Sequence, residues 1–426
     1  MTMWIFLILL GYAIIKIFNY GLEILNYQYL NRNSGEIPPE MKGHIDLANL
    51  EKTTRYSSEK IKSGLFSSLL NDAVDLVFIF GPVLLVYTSW VSSLNLPFIV
   101  SGTLCMLIIA CASTFIGIPF SLYSNFKIEK KYGFNKMTAG LWIKDFIKSI
   151  LISGILSGII FSAFFALVQF FPNCWWLFAW IFFLIFSLFI MFISPYVIEP
   201  LFHKFEPVND EELVQELSSL MSKAGLRIDR VFKMDASKRT GHSNAYFTGI
   251  GNVKRIVLFD TLLSEMEKNE IASILAHEAG HWKKRHVFKN LLVFETLSFV
   301  VAFCIYRLIG SDFLNNAFSF PPDMLPLQTF LTKIILAGFI MSIVLYPFSP
   351  IMNIISRKFE SEADLFACQL TGSAHPLISS LLKLHRNNLT NIHPHPLYSA
   401  INYSHPPLRE RIATLKKIAE NSKSQK

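Results

Sequence analysis

A chain of 426 residues could hold two or three soluble domains, but 52% hydrophobic and only 16% charged residues exclude an ordinary soluble protein and indicate a membrane one. The formal net charge of +8 is accounted for by basic loops on one membrane face and their attraction to anionic lipid, which sets nucleic acid aside as a partner. Five cysteines are odd in number, and Cys105, Cys111, Cys174 and Cys304 fall in or beside apolar runs, so neither a disulfide framework nor a Cys-x-x-Cys zinc pair is expected.

Runs able to cross ~30 Å of hydrocarbon, roughly 20 residues each, lie near 3–25, 74–92, 98–122, 150–171, 175–195, 287–309 and 327–348. The first lacks a basic leader and a small-residue cleavage site and is punctuated by Lys16, Asn19 and Glu23, which predicts an uncleaved span. The run from Phe98 holds Ser, Thr, Gly and Pro and suits a helix facing protein or a wet cavity. That from Trp175, WWLFAWIFFLIFSLFIMFI, is apolar on every side, as only a lipid-facing helix needs to be.

Basic residues fall in alternate loops. Arg32 to Lys62 follow the first span and Lys127 to Lys148 the third, whereas SSLNLP, PNC and the connection from Gly310 to Thr329 carry none. Lys and Arg are retained on the cytoplasmic side of short loops, which predicts an outside or lumenal N-terminus and a cytoplasmic C-terminus. This fits an endoplasmic reticulum membrane or a bacterial inner or plasma membrane, and leaves oligomeric state open. The expected division is 1–198 for spans one to five, 199–286 for a cytoplasmic segment, 287–351 for spans six and seven, and 352–426 for a second cytoplasmic segment.

Within 199–286 the period changes. DEELVQELSSLMSKAGL reads as an amphipathic helix closed by Gly225, followed by strand candidates RVFKMDA, NAYFTGI and RIVLFD. SEMEKNEIASILAHEAGHWKKRH then returns to helix, with Ser264 or Asn269 as cap. The final NSKSQK reads as a solvated tail.

On that helix His277 and His281 are four apart and share a face, so both can present imidazole to one ion. Glu278 sits beside His277, close enough to take a proton from a water activated by a zinc ion without being a ligand. A catalytic zinc needs a third protein ligand and an open position. ISRKFESEADLFACQL, after the seventh span, offers Glu360 and Asp364 on one face, one to ligate and the other to hold a ligand imidazole. Glu362 points about 160° away and reads as a solvated charge. A two-span hairpin brings this segment back to the face that carries His281.

The motifs LAHEAGHW, SRKFESEADLFA, HSNAYFTGIGNVKRIVLFDTLL, EKKYGFNKMT and YSHPPLRERI, taken together, resemble the integral-membrane CAAX prenyl endopeptidases of the zincin class, the type that trims mating-factor and prelamin precursors. The resemblance extends from IPPEMKGHIDLANLEKTTRY nearly to the C-terminus. It implies a mainly α fold, a seven-helix transmembrane barrel around a water-filled chamber, with a zincin-type metalloprotease domain on the cytoplasmic face. It implies one Zn2+ held by His277, His281 and Glu360, with Asp364 behind them and Glu278 as base. It further implies His405 as stabiliser of the oxyanion with Arg411 as its neighbour, and Asn244, Ala245 and Tyr246 as the segment that pairs with a peptide or protein substrate, prenylated in that family, as an added strand.

His242, His286, His393 and His395 lack supporting spacing and read as surface residues. Glu295, inside span six, either lines a wet chamber or packs between helices. No long insertion lies between spans six and seven, so added functions of larger relatives do not transfer. Two rival readings share these features: a membrane quality-control protease of broad specificity, and a transporter or channel with a structural metal site.

Overall fold

A computed structural model of the chain describes residues 2–248 and 253–424. Seven helices in it are long and apolar enough to cross a membrane: Met3–Arg32, Leu47–Phe80, Phe98–Tyr132, Ala139–Phe170, Trp175–Phe202, His286–Gly310 and Pro326–Leu345, taken below as spans one to seven. Each span packs against the next, and the seventh returns to the first, so the seven close into a ring in sequence order. The spans leave large apolar side chains such as Ile17, Phe66, Ile155 and Ile185 exposed, as helices that meet lipid do. Leu84, Trp175, Ile309, Leu314 and Leu336 form a buried cluster at the end of the ring where span six finishes.

Span two departs from expectation. The apolar run 74–92 is two helices, Leu47–Phe80 and the short Val83–Ser93, because Pro82 has no N–H to continue the ladder. The spanning helix starts much earlier and carries Asp72 into the ring wall. There Tyr12 Oη donates to its carboxylate at 3.0 Å, Tyr20 Oη also donates, and Lys16 Nζ lies at 2.5 Å. A carboxylate so paired no longer bars the helix from the membrane.

Between spans five and six stands a four-stranded sheet of order β1-β2-β4-β3, with β1 Phe205–Pro207, β2 Arg227–Met234, β3 Ala245–Thr248 and β4 Val253–Phe259. β2 and β4 are parallel and the other pairs antiparallel, leaving β3 on an edge. The three strand candidates are present; the end of the second, Gly249 and Ile250, lies outside the described residues. β1 was not expected: three residues ending in proline give no alternation to read.

The amphipathic helix α1 (Glu211–Lys223) is capped by Asp210, which accepts from Leu213 N at 3.0 Å. The motif helix α2 (Lys268–Lys283) is capped by Glu267 in a box with Glu270, not by Ser264 or Asn269. Glu270 is 2% exposed and accepts from Glu267 N, Ser379 Oγ and Lys383 Nζ at 2.9, 2.6 and 2.7 Å. The expected helix does not run on to His286. It ends at Lys283, and Arg285 turns the chain with φ 56° before span six begins.

After span seven come α3 (Phe348–Thr371), α4 (His375–Asn387), α5 (Pro396–Asn402) and α6 (Leu408–Ser424). Helix α6 runs through most of the expected tail, whose last two residues lie outside the described ones. One buried cluster joins α1, the sheet and α2 through Leu217, Met221, Ile256, Leu258 and Leu275. Another joins α2, α3, α4 and α6 with residues at the start of span two and just before it, through Ala276, Ala367, Leu382, Ile412, Leu50 and Met41. All five cysteines are free thiols.

Candidate active site

Helices α2 and α3 make the closest contact that positions the site. At Gly280 a Cβ would stand 2.9 Å from Ala363 Cα and 3.1 Å from its carbonyl oxygen, nearer than carbon atoms pack. Only glycine lets the motif helix lie so close to Ala363 of α3. Three residues before that contact is His277, one after it His281, and across from them Glu360.

The Nε2 atoms of His277 and His281 are 3.2 Å apart. Glu360 Oε2 is 3.4 Å from the first and Oε1 is 3.1 Å from the second. One atom from each of the three residues falls within 4.8 Å of the others, the group of side chains among the described residues that could hold a metal ion. Glu360 is 3% exposed, and its Oε2 makes no aligned hydrogen bond although His405 Nδ1 lies 2.9 Å away. Two imidazole lone pairs and a buried carboxylate without a directed donor fit zinc, and three donors leave a position open.

Asp364, the other acid on this face of α3, is turned to the far nitrogen, 2.8 Å from His277 Nδ1. Arg411 from α6 grips it with both forks, Nε to Oδ2 at 3.0 Å and Nη2 to Oδ1 at 2.6 Å. Burial alone would raise the Asp364 carboxyl, but His277, in close contact though not aligned for a hydrogen bond, and the Arg411 guanidinium hold it below the usual carboxylate range. The sequence left open which acid would ligate; the geometry points Glu360 at the metal position and Asp364 behind it. Arg411 is thereby placed behind the ligands, with Nη1 3.7 Å from Glu360 Oε2. His405, on the loop between α5 and α6, is largely exposed beside Glu360. Three carbonyls of α5 and that loop, Ser399, Ala400 and Tyr403, receive Arg357 at 3.4, 2.9 and 2.5 Å, a support that no sequence pattern announced.

Glu278 opens into a cavity of about 1510 Å³. Burial pushes its carboxyl above the ordinary range, the direction that suits a proton acceptor. Tyr246, Phe247 and Thr248 of edge strand β3 line the same cavity, whose other walls are apolar residues of spans five and six, among them Leu188, Phe192, Phe288 and Leu292. Asn244 precedes β3 with its side chain folded onto its own strand, Oδ1 accepting from Ala245 N at 2.8 Å. Tyr246 Oη donates to Glu199 at 2.7 Å. Glu295 serves both expected roles: it lines the cavity and accepts from Ser187 and Ser298, each at 3.3 Å.

Four histidines expected at the surface are all engaged. His286 is 1% exposed, with Nδ1 3.1 Å from His281 Nδ1 and Nε2 3.1 Å from Glu362 Oε2. Glu362 is therefore a partner and not simply a solvated charge. His242 stacks on Phe134 at 4.1 Å and faces Glu129 at 3.4 Å. His393 Nε2 is 2.7 Å from the Glu36 carbonyl, and His395 caps α5. The burial of His286 follows from the turn at Arg285, where no glycine or proline warns of a break.

A ring of seven spans carrying three side chains placed to hold a metal ion and a half-buried carboxylate at a shared cavity defines a membrane-embedded metallopeptidase. Residues 26–204 match the pattern described as CAAX prenyl protease N-terminal, five membrane helices, and residues 207–419 match peptidase family M48. CAAX prenyl protease 1 of Saccharomyces cerevisiae is 35% identical over 98% of this chain and 96% of its own length. The homologue of that protease in Homo sapiens is 31% identical over 92% and 90%. The crystal structure of S. mikatae Ste24p superposes with a TM-score of 0.89 at 32% identity, covering 97% of this chain and 99% of that one. The chain belongs to peptidase family M48.

Proposed function

We propose that the chain is a zinc endopeptidase that cuts prenylated CAAX-type proteins or peptides near the C-terminus, working from the cytoplasmic side of the membrane. The observation that carries this reading is that Glu278, edge strand β3 and an apolar wall from spans five and six share one cavity. An extended peptide adds to the free edge of β3 through main-chain bonds, with Asn244 to Tyr246 at its start. A lipid attached to the peptide fits the apolar wall better than water or a bare side chain does. The relatives named as CAAX prenyl proteases agree with that substrate, and the basic loops support the orientation.

When bound by His277, His281 and Glu360, zinc supplies a Lewis acid and an acidified water at neutral pH. Glu278 accepts a proton at its carboxylate and holds it for the leaving amine, a task helped by burial that raises its proton affinity. His405, exposed beside Glu360, acts as a donor to developing negative charge. Asp364 holds His277 by Nδ1, and Arg411 acts through Asp364, fixing its orientation and charge.

The test compares hydrolysis of a farnesylated CAAX peptide with its unprenylated twin by the protein in nanodiscs. Faster cutting of the prenylated peptide is expected. Equal rates would remove the lipid from the account, and cutting of unfolded membrane segments in preference to either peptide would favour the quality-control protease.

A further inference from the structure

Ligand His281 does not meet a carboxylate or a carbonyl with its second nitrogen; it meets another imidazole. His286 opens span six, brought back against α2 by the left-handed turn at Arg285. Its ring lies flat on Phe359, centroids 4.1 Å apart and planes 8° from parallel. Both of its nitrogens are spoken for, Nδ1 by His281 Nδ1 and Nε2 by Glu362 Oε2, each at 3.1 Å. We propose that His286 and Glu362 are positioning residues that fix the proton and the orientation of the metal ligand His281.

Counting protons allows one arrangement. His281 offers the Nε2 lone pair to the metal, so its hydrogen sits on Nδ1. That N–H can only donate to His286 Nδ1, which must then be bare. The remaining hydrogen of His286 is on Nε2 and donates to Glu362. A doubly protonated His286 would set two N–H groups against each other at 3.1 Å, so the neutral form is built in by contact. Glu362, with 31% of its side chain exposed, ends the chain at solvent.

The two histidine ligands are consequently held in unequal ways. His277 has a carboxylate directly behind it, and that carboxylate is fixed by Arg411. His281 has a neutral ring behind it, and its carboxylate is one residue further off. A partner behind a ligand imidazole sets ring orientation and basicity, so His281 is the less electron-rich donor. Removing His286 would take away the acceptor of the His281 Nδ1–H and leave the ring free to turn.

The inference rests on the metal reading above but not on the proposed substrate, and metal affinity tests it without any peptide. Full-length protein in nanodiscs is titrated with zinc against a chromophoric chelator. His286→Phe keeps an aromatic ring stacked on Phe359 while removing the acceptor, and its zinc affinity is expected to fall by about 10–100-fold. His286→Asn, whose Oδ1 stands near the position of Nδ1, is expected to recover most of that loss. Glu362→Ala, at a partly exposed position, is expected to lose about 3–10-fold. Thermal unfolding of the metal-free proteins checks that each variant is folded before its zinc affinity is compared with the parent's. If the parent binds zinc and both His286→Phe and Glu362→Ala bind it equally well, the proposal is overturned. Should His286→Phe not fold, Glu362→Ala decides alone: weakened binding supports the proposal and unchanged binding overturns it. A parent that binds no zinc would instead overturn the metal reading itself, and this inference with it.

Discussion

Gly280→Ala separates stability from metal binding. The added methyl would begin 2.9 Å from Ala363 Cα and 3.2 Å from its Cβ, where carbon atoms prefer about 3.5–4.0 Å. Relief requires α2 and α3 to part by roughly 0.5–1 Å. Overpacking costs about 1–3 kcal/mol, and replacing glycine by alanine in a helix returns about 1 kcal/mol, so the net loss of stability is small. The metal site is less forgiving. His277 and His281 ride on α2 and Glu360 on α3, and zinc tolerates deviations of only about 0.2 Å in its ligand distances. Zinc affinity is therefore expected to drop by about tenfold or more, comparable to loss of a residue supporting a ligand. Chelator competition and thermal unfolding of the metal-free protein give the two numbers. Zinc affinity equal to the parent, with the variant folded, would refute the claim that this helix contact sets the ligand spacing.

Glu278→Gln should retain zinc and fold while turnover falls by about 10²–10⁴-fold, measured by peptide hydrolysis beside metal analysis. Arg411→Ala should destabilise the protease segment by about 3–5 kcal/mol, the usual result of leaving one partner of a buried ion pair alone, and Arg411→Lys should recover only part because the bidentate grip on Asp364 is lost. For Glu270, burial would raise the carboxyl, but hydrogen bonds from Lys383, Ser379 and Glu267 outweigh it and lower it. A lowered folded-state value contributes stability above the unfolded value and loses it as pH falls through the folded one. Unfolding midpoints of the parent should thus decline below about pH 4.3, and Glu270→Gln should show a shallower decline there from a lower starting stability.

The spans were legible because membrane crossing needs only apolar length, their closure into a barrel only through the family resemblance, and the two histidines of the motif because four residues are about one turn of helix. What the sequence hid were interactions between distant segments. Asp72 stands just outside the apolar run 74–92, and the spanning helix carries it into the ring wall only because Tyr12, Tyr20 and Lys16 from another helix pair with it. Glu360 and Asp364 share a face, so spacing could name the pair but not the ligand; their separate targets, the Nε2 and Nδ1 sides of the histidines, exist only after α2 and α3 dock. His286 and Glu362 were misread for a related reason. The turn at Arg285 is a left-handed residue with none of the usual glycine or asparagine, and without it His286 would continue the helix away from His281.

Hydrolysis of a farnesylated CAAX peptide, mapped by mass spectrometry before zinc is stripped, after stripping, and after zinc is returned, tests the proposed chemistry most directly. The expected result is cutting after the lipidated cysteine that disappears on stripping and returns with about one zinc per chain, the stoichiometry of a single three-ligand site. Cutting that survives complete removal of the metal, or that returns with zinc in a protein lacking His277 and His281, would contradict it.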